Sequence, residues 1–182
     1  MKAIKTSIIQ FLSYTVLLGA IYPAIVTVIG QLLFYENTIG SPIASGAKLV
    51  GSEFIGQEFK ESKYFSSRPS AISSWPYNPE SSSGSNLALS NPAFQQQLKD
   101  RAQLWSHGAV PVDLVTASGS GLDPEISIAA AKYQVKRIAT ERGISEEKIL
   151  MLITSLAKNR VLGFLGEPRV NVLLLNMELD RL

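Results

Sequence analysis

The sequence predicts a small α/β (α+β) domain outside the cell membrane, carried on one N-terminal transmembrane helix. Three observations lead there. Thr6 to Tyr35 is an uncharged, apolar run; downstream segments alternate between helical and strand-like patterns of ordinary length; and 182 residues, 46% of them hydrophobic, suffice for one core and an appendage but hardly for two full domains.

The run "TSIIQFLSYTVLLGAIYPAIVTVIGQLLFY" is apolar on every face, the pattern of a membrane span and not of an amphipathic helix. Ile8 to Phe34 as a helix would be about 40 Å long, against about 30 Å of hydrocarbon, so it crosses while tilted or projecting beyond one face. A cleaved signal peptide needs a shorter apolar stretch with a small-x-small site close behind, whereas the nearest such pattern, Ala44 to Gly46, lies well past the run. We therefore read an uncleaved, single-pass anchor. Lys2 and Lys5 precede it and Glu36 follows, so the positive-inside bias sets residues 1–7 in the cytoplasm as a tail, 8–34 across the bilayer, and the remainder outside. Gly19, Ala20, Pro23 and Ala24 are candidates for contact with another helix, since small residues at this spacing permit close approach.

Charge excludes one functional class. Lys2 and Lys5 taken from 17 basic residues leave 15, which match the 15 acidic ones, so the body is neutral and offers no reason to bind nucleic acid. The absence of cysteine excludes disulfides, thiol catalysis and cysteine zinc sites. His107, the single histidine, has no neighbouring ligand cluster and reads as a surface or loop residue; no metal is expected.

Residues 35–48 read as a linker or first loop, and 49–182 as the extracytoplasmic domain. "KLVGSEFIGQEF" suggests a strand or hairpin punctuated by Gly51 and Gly56. Tyr64 to Pro92 carries four prolines and many Ser and Asn, yet Tyr64, Phe65, Trp75 and Tyr77 are residues that disordered segments lack. It reads as a long ordered loop with its rings pinned on the domain, and such loops usually carry a binding surface. Asn91 and Pro92 mark a helix start. Val110 to Thr116 reads as a strand, "ISIAAAKYQVKRIATERG" as a helix ending at Gly143, and "SEEKILMLITSLAKN" as a helix capped by Ser145 with Lys158 in its last turn. "VNVLLLN" reads as a buried strand followed by a short helical turn.

The stretch "VTASGSGLDPEIS", Val115 to Ser127, invites three chemical readings. A nucleophile elbow needs Gly two residues before the serine, where Ser118 precedes Ser120. A P-loop needs a terminal Gly-Lys, and no lysine occurs between Lys99 and Lys132. A dinucleotide loop would meet the carboxylates of Asp123 and Glu125. The structural alternative is stronger: Gly119 and Gly121 supply positive φ and close approach, Asp123 and Pro124 a turn or cap, and Ser127 the cap of a helix from Ile128. A Ser/His/Asp set of Ser118 or Ser120, His107 and Asp113 can be drawn on paper, but chance supplies such sets freely.

The strings "YFxxRPSA", "SGSNL", "VPVDLVTASGSGLDPxIS", "AAAxYQVxR" and "LGEPRVNVLxLN", in this order behind one span, resemble the C subunit of the Kdp-type potassium-transporting ATPase, the KdpC family. The resemblance covers essentially the whole chain. It implies a non-catalytic accessory subunit of an ATP-driven, high-affinity potassium import complex. Its partners there are a potassium-channel-like A subunit, a P-type ATPase B subunit, a small single-span F peptide, and membrane lipid. The chain has neither a phosphorylation motif nor a potassium filter loop, so ATP and K⁺ belong to the partners and no firmly bound cofactor is expected.

Two roles follow from the family, and they conflict. One is an outward-facing subunit beside the channel entrance, needed for assembly and coupling. The other is a catalytic chaperone that raises the ATPase subunit's ATP affinity by transient contact through a serine-glycine stretch, here Ser83, Gly84, Ser85 and Asn86. The topology favours the first, since it sets those residues outside. Further partner-contact candidates are Tyr64, Arg68, Trp75, Tyr77 and Asp123. Two departures stand out: Ser83 replaces a usual Gly, weakening any phosphate-loop analogy, and Ile128 replaces a usual Pro at the helix start.

Overall fold

A computed structural model describes residues 2–105 and 108–182; His107 lies outside the described residues. The fold divides into two units, one ending at Pro42 and one running Ile43–Leu182.

The first unit is a continuous helix, Lys2–Leu33, long and apolar enough to cross a membrane and with none of its residues buried in the protein. It comprises α1 (Lys2–Val16), a π-helical stretch Leu17–Ile21, and α2 (Tyr22–Leu33). The stretch has a local cause. Pro23 has no N–H to donate to the carbonyl one turn earlier, and the ladder widens just before it, with the Tyr22 N–H reaching back to Leu17 O. The segment expected as a linker is partly structured: α3 (Tyr35–Thr38) is a single helical turn, and β1 (Pro42–Ser45) pairs with β2 (Lys48–Ser52) as a hairpin turning at Gly46.

The second unit has its core where α7 (Glu146–Leu156) packs against both α6 (Ile128–Arg142) and α8 (Val172–Leu179), with the two-stranded antiparallel sheet of β3 (Glu125–Ser127) and β4 (Arg169–Asn171) beside them. The buried face of α6 is Ala130, Ala131, Gln134, Val135, Ile138 and Ala139, the helical repeat of an apolar stripe. Ile149 and Ile153 answer it from α7, and Leu175 and Leu179 from α8. The mixed helix and strand class is as the sequence predicts.

Caps predicted locally are present: Asn91 Oδ1 accepts from Ala93 N at the start of α4 (Pro92–Gln103), Ser127 Oγ from Ala130 N at the start of α6, and Gly143 closes α6 at φ +66°. Five expectations need correction. Val110–Thr116 is not a strand but holds a helical turn, α5 (Val112–Val115), in which Leu114 is buried and Val112 exposed. "VNVLLLN" is mostly helix, because Asn171 caps α8 by accepting from Leu174 N at 3.1 Å. Ser145 flanks α7 without a side-chain cap bond, and α7 stops at Leu156, so Lys158 instead pairs with Arg169. Of the two turn glycines only Gly121 has positive φ.

Residues 53–91 form no helix or strand, and they are fixed from outside. Phe65 is fully buried; its N–H donates to Asn176 Oδ1 at 2.8 Å and its carbonyl accepts from Asn176 Nδ2 at 3.0 Å. Gln134 grips Ser66 likewise, at 2.8 and 3.2 Å. Arg142 donates to the carbonyls of Lys63 and Leu179, at 2.8 and 3.1 Å, and stacks on the Tyr64 ring. Replacing Asn176 with Ala leaves two buried backbone groups unpaired, at about 1–3 kcal/mol each. Urea unfolding of the full chain in detergent should therefore show a loss of about 2–6 kcal/mol; an unchanged midpoint would contradict the clamp.

Candidate functional site

The stretch Thr116–Pro124 leads from α5 into β3 as a turn whose polar groups serve one another. Ser118 is buried, and its Oγ accepts from Gly121 N at 2.9 Å while its N–H donates to Pro69 O at 3.3 Å. Ser120 Oγ accepts from Leu122 N at 3.1 Å. The proposed nucleotide strip lies directly against this turn: Ser83 N donates to Ser120 O at 2.9 Å, and Ser82 Oγ donates to the same carbonyl at 3.1 Å. Two glycines permit the approach. A Cβ on Gly121, at φ +70°, would stand 2.6 Å from Ser83 O and 2.7 Å from the Ile72 side chain; one on Gly84 would stand 2.9 Å from Gly119 O. Ser85 and Asn86 continue the strip, with Asn86 exposed at φ +52°.

Next to the turn, two carboxylates cap β3. Asp113 Oδ2 accepts from Ser127 N at 2.7 Å, and Asp123 Oδ1 from Glu125 N at 3.0 Å, so neither N–H is open to a further strand. Burial pushes the Asp113 carboxyl upward in pKa, but hydrogen bonds from the Ser127 hydroxyl and N–H outweigh it, with help from Arg68, and the net direction is downward. Asp113 is thus held as the anion that its capping role requires.

Arg68 ties the long loop to the same place. Its guanidinium meets Asp123 at 3.2 Å and the Ala117 carbonyl at 3.4 Å, and its carbonyl accepts from the Tyr77 hydroxyl at 2.5 Å. Burial pushes the Tyr77 phenol up to about 12, so it stays a donor at physiological pH. The Tyr77 ring fills the space where a Cβ on Gly56 would come within 2.8 Å.

A cleft of about 320 Å³ opens between these groups and the residues leading into β4, with Asp113, Asp123, Glu125 and Glu167 facing Arg68 and Arg169. Its charges are mutually engaged. Glu125 pairs with Arg169 at 2.5 Å and Lys158 at 3.6 Å, and Glu167 with Arg160 at 2.7 Å. Among the described residues no group of three or more His, Cys, Asp or Glu is placed to hold a metal ion. Arg68 Nε is the one buried side-chain polar atom without a partner among the described residues.

Of the candidates named from sequence, Arg68, Tyr77 and Asp123 converge beside the turn, and Ser83 and Gly84 lie on it. Tyr64 is elsewhere, donating to Asp180 at 3.1 Å, and Trp75 is 55% exposed on the loop, so the expectation that every ring is pinned fails for it. Gly19 and Ala20 sit in the π-helical stretch and Pro23 and Ala24 in the first turn of α2, all exposed. Of the paper triad, the Asp113 carboxylate accepts from Ser127 N, and His107 lies outside the described residues. Sequence reading missed Gln134 and Asn176, whose signal was an amide amid apolar helix positions, and Asn171, the cap at the β4–α8 junction.

The family model described as "K+-transporting ATPase, c chain" matches residues 4–181. The chain belongs to the KdpC family. Among its relatives, the potassium-transporting ATPase KdpC subunit of Methylibium petroleiphilum is 48% identical, over 97% of this chain and 96% of the relative. The KdpC subunits of Rhodopseudomonas palustris and Geobacter sulfurreducens are each 46% identical, covering 99% and 100% of this chain and 97% and 99% of the relatives. The alignments thus run over nearly the whole of each of these relatives.

Gly121→Ala tests the pairing within this KdpC domain. A forced left-handed alanine plus overpacking against Ser83 should cost about 2–4 kcal/mol. Limited proteolysis should then cut within Ser81–Leu87 at lower protease; wild-type resistance would show that the two segments need no close contact.

Proposed function

We propose that the chain is a non-catalytic accessory subunit of a potassium-transporting ATPase, serving assembly, stability and coupling from outside the membrane. Its N-terminus is cytoplasmic, the Lys2–Leu33 helix is a single-pass anchor, and the following domain is extracytoplasmic, beside a potassium-channel-like A subunit. A P-type ATPase B subunit and a small single-span F peptide complete the set, and ATP and K⁺ are handled by these partner subunits, the channel-like A subunit included. The names of the relatives support the complex, and Lys2 and Lys5 before the helix with Glu36 after it support the orientation.

One observation carries the accessory role. Most of the polar groups of the turn and the adjacent cleft are spent within the domain, through Ser83 N to Ser120 O, Gly121 N to Ser118 Oγ, Ser127 N to Asp113, and Arg68 to Asp123, with Arg68 Nε the exception among the described residues. A nucleophile needs a base and an oxyanion needs free donors. This surface is built to hold a shape. Direct nucleotide contact through Ser83–Asn86 gains no support from it, since phosphate recognition uses free backbone N–H groups, a helix N-terminus or a lysine.

The lack of cysteine makes the orientation easy to test. Ser73 is exposed on the long loop. Ser73→Cys in the full chain should be labelled by a membrane-impermeant maleimide in intact spheroplasts. Labelling only after permeabilisation would place the domain in the cytoplasm and overturn the reading.

A further inference from the structure

Where the apolar helix ends, the chain makes a compact turn whose apolar side chains stay exposed. The helix closes with Phe34 N donating to Gly30 O at 2.7 Å, and Phe34 leaves the helical region at φ −136° and ψ +46°. The chain then folds α3 back on the helix it has just left. Thr38 Cγ2 lies 3.3 Å from where a Cβ on Gly30 would stand, and Gly30 is the only residue of Lys2–Leu33 that is half-buried and not exposed.

The turn satisfies its own backbone. Thr38 N donates to Phe34 O at 3.0 Å, Ile39 N to Tyr35 O at 3.2 Å, Gly40 N to Asn37 O at 3.1 Å, and Ser41 N to Glu36 O at 2.8 Å. The Thr38 hydroxyl donates to Tyr35 O at 2.7 Å. Internal pairing of this kind is what a segment needs where water is scarce. The side chains are of two kinds. Phe34 and Tyr35 are each 60% exposed and Ile39 48%, with Tyr35 and Ile39 one helical turn apart and so on one face. Glu36 and Asn37 add a carboxylate and an amide between them.

Covalent continuity with the span identifies what covers this face. Two residues of chain reach at most about 7 Å, so Tyr35 stands that close to Leu33, the last residue of the apolar helix. The headgroup layer begins there. It takes amphipathic rings and apolar side chains at the acyl boundary while leaving a carboxylate hydrated. Hydrocarbon would strip Glu36 of water, and bulk water would leave Phe34, Tyr35 and Ile39 wet.

We propose that Phe34–Ser41 is an interfacial foot, seated in the headgroup and glycerol layer of the lipid bilayer, that fixes how far the span can sink. This rests on the membrane-anchor reading. The apolar run is longer than the hydrocarbon is thick, so its composition alone leaves its depth open. The foot sets the far boundary at Phe34 and passes the surplus length to tilt or to the Lys2 end. Gly30 lacks a side chain where the foot folds back.

The chain has no cysteine, so single nitroxide labels report depth cleanly. Full-length chains with Ile39→Cys, Val26→Cys or Ser73→Cys are labelled and reconstituted without other subunits in vesicles of phosphatidylcholine and phosphatidylglycerol. Oxygen concentrates in hydrocarbon and a nickel chelate in water. Their collision ratio at position 39 should lie about three-fold or more above that at 73, and below that at 26. Adding Gly30→Val, which crowds Thr38, should lower the ratio at 39 toward that at 73; an unmoved ratio would overturn the fold-back as what holds the foot. A ratio at 39 equal to that at 73, with 26 in hydrocarbon, would overturn the foot and leave the anchor standing. Water at 26 as well would remove both. A position 39 that is aqueous in the lone chain and shielded only in the assembled ATPase would assign the face to another subunit and overturn the lipid seat.

Discussion

The double amide clamp between Asn176 and Phe65, repeated between Gln134 and Ser66, is the constraint on which the domain depends. Residues 53–91 have no ladder of their own, and ordering each costs about 1–2 kcal/mol of backbone entropy. Secondary structure would normally offset that cost through its hydrogen bonds; here two helices lend side chains instead. Each amide offers a donor and an acceptor to both backbone groups of one residue, the geometry a neighbouring strand would have provided. Phe65 adds fully buried apolar surface at the same point, so polar satisfaction and core packing coincide.

From that anchor the rest of the surface follows in sequence. With Phe65 and Ser66 fixed, Arg68 reaches Asp123 and the Tyr77 hydroxyl reaches back to the Arg68 carbonyl. Asp123 in turn caps β3 beside Asp113. Gly121 and Gly84 let the serine-rich strip and the turn meet backbone to backbone, at distances a side chain would forbid. Serines and aspartates that resemble chemistry in isolation are here consumed by folding.

What the sequence revealed was local. The caps at Asn91, Ser127 and Gly143 are written within a few residues of the helices they bound, and the apolar run from Thr6 has the span's length in plain view. Errors arose where β-branched runs met a distant partner. Val110 to Thr116 reads as strand by propensity, yet the Asp113 carboxylate is drawn to Ser127 and Leu114 to the core, which a helical turn allows. "VNVLLLN" is split by the Asn171 cap, an effect invisible to hydrophobicity alone. Which glycine takes positive φ, and which polar residue of an apolar helix grips a loop 68 or 111 positions away, depends on contacts that no local pattern encodes. The family, by contrast, was legible from a few long strings spread over the whole chain.

Whether the paired Ser81–Leu87 and Thr116–Pro124 segments are scaffold or nucleotide site is read most directly from the melting of the full-length, detergent-solubilised chain with and without millimolar magnesium-ATP. A scaffold gives no shift beyond that produced by magnesium with inorganic phosphate. A rise of several degrees with ATP, abolished by Ser85→Ala combined with Asn86→Ala, would contradict it and restore direct nucleotide contact.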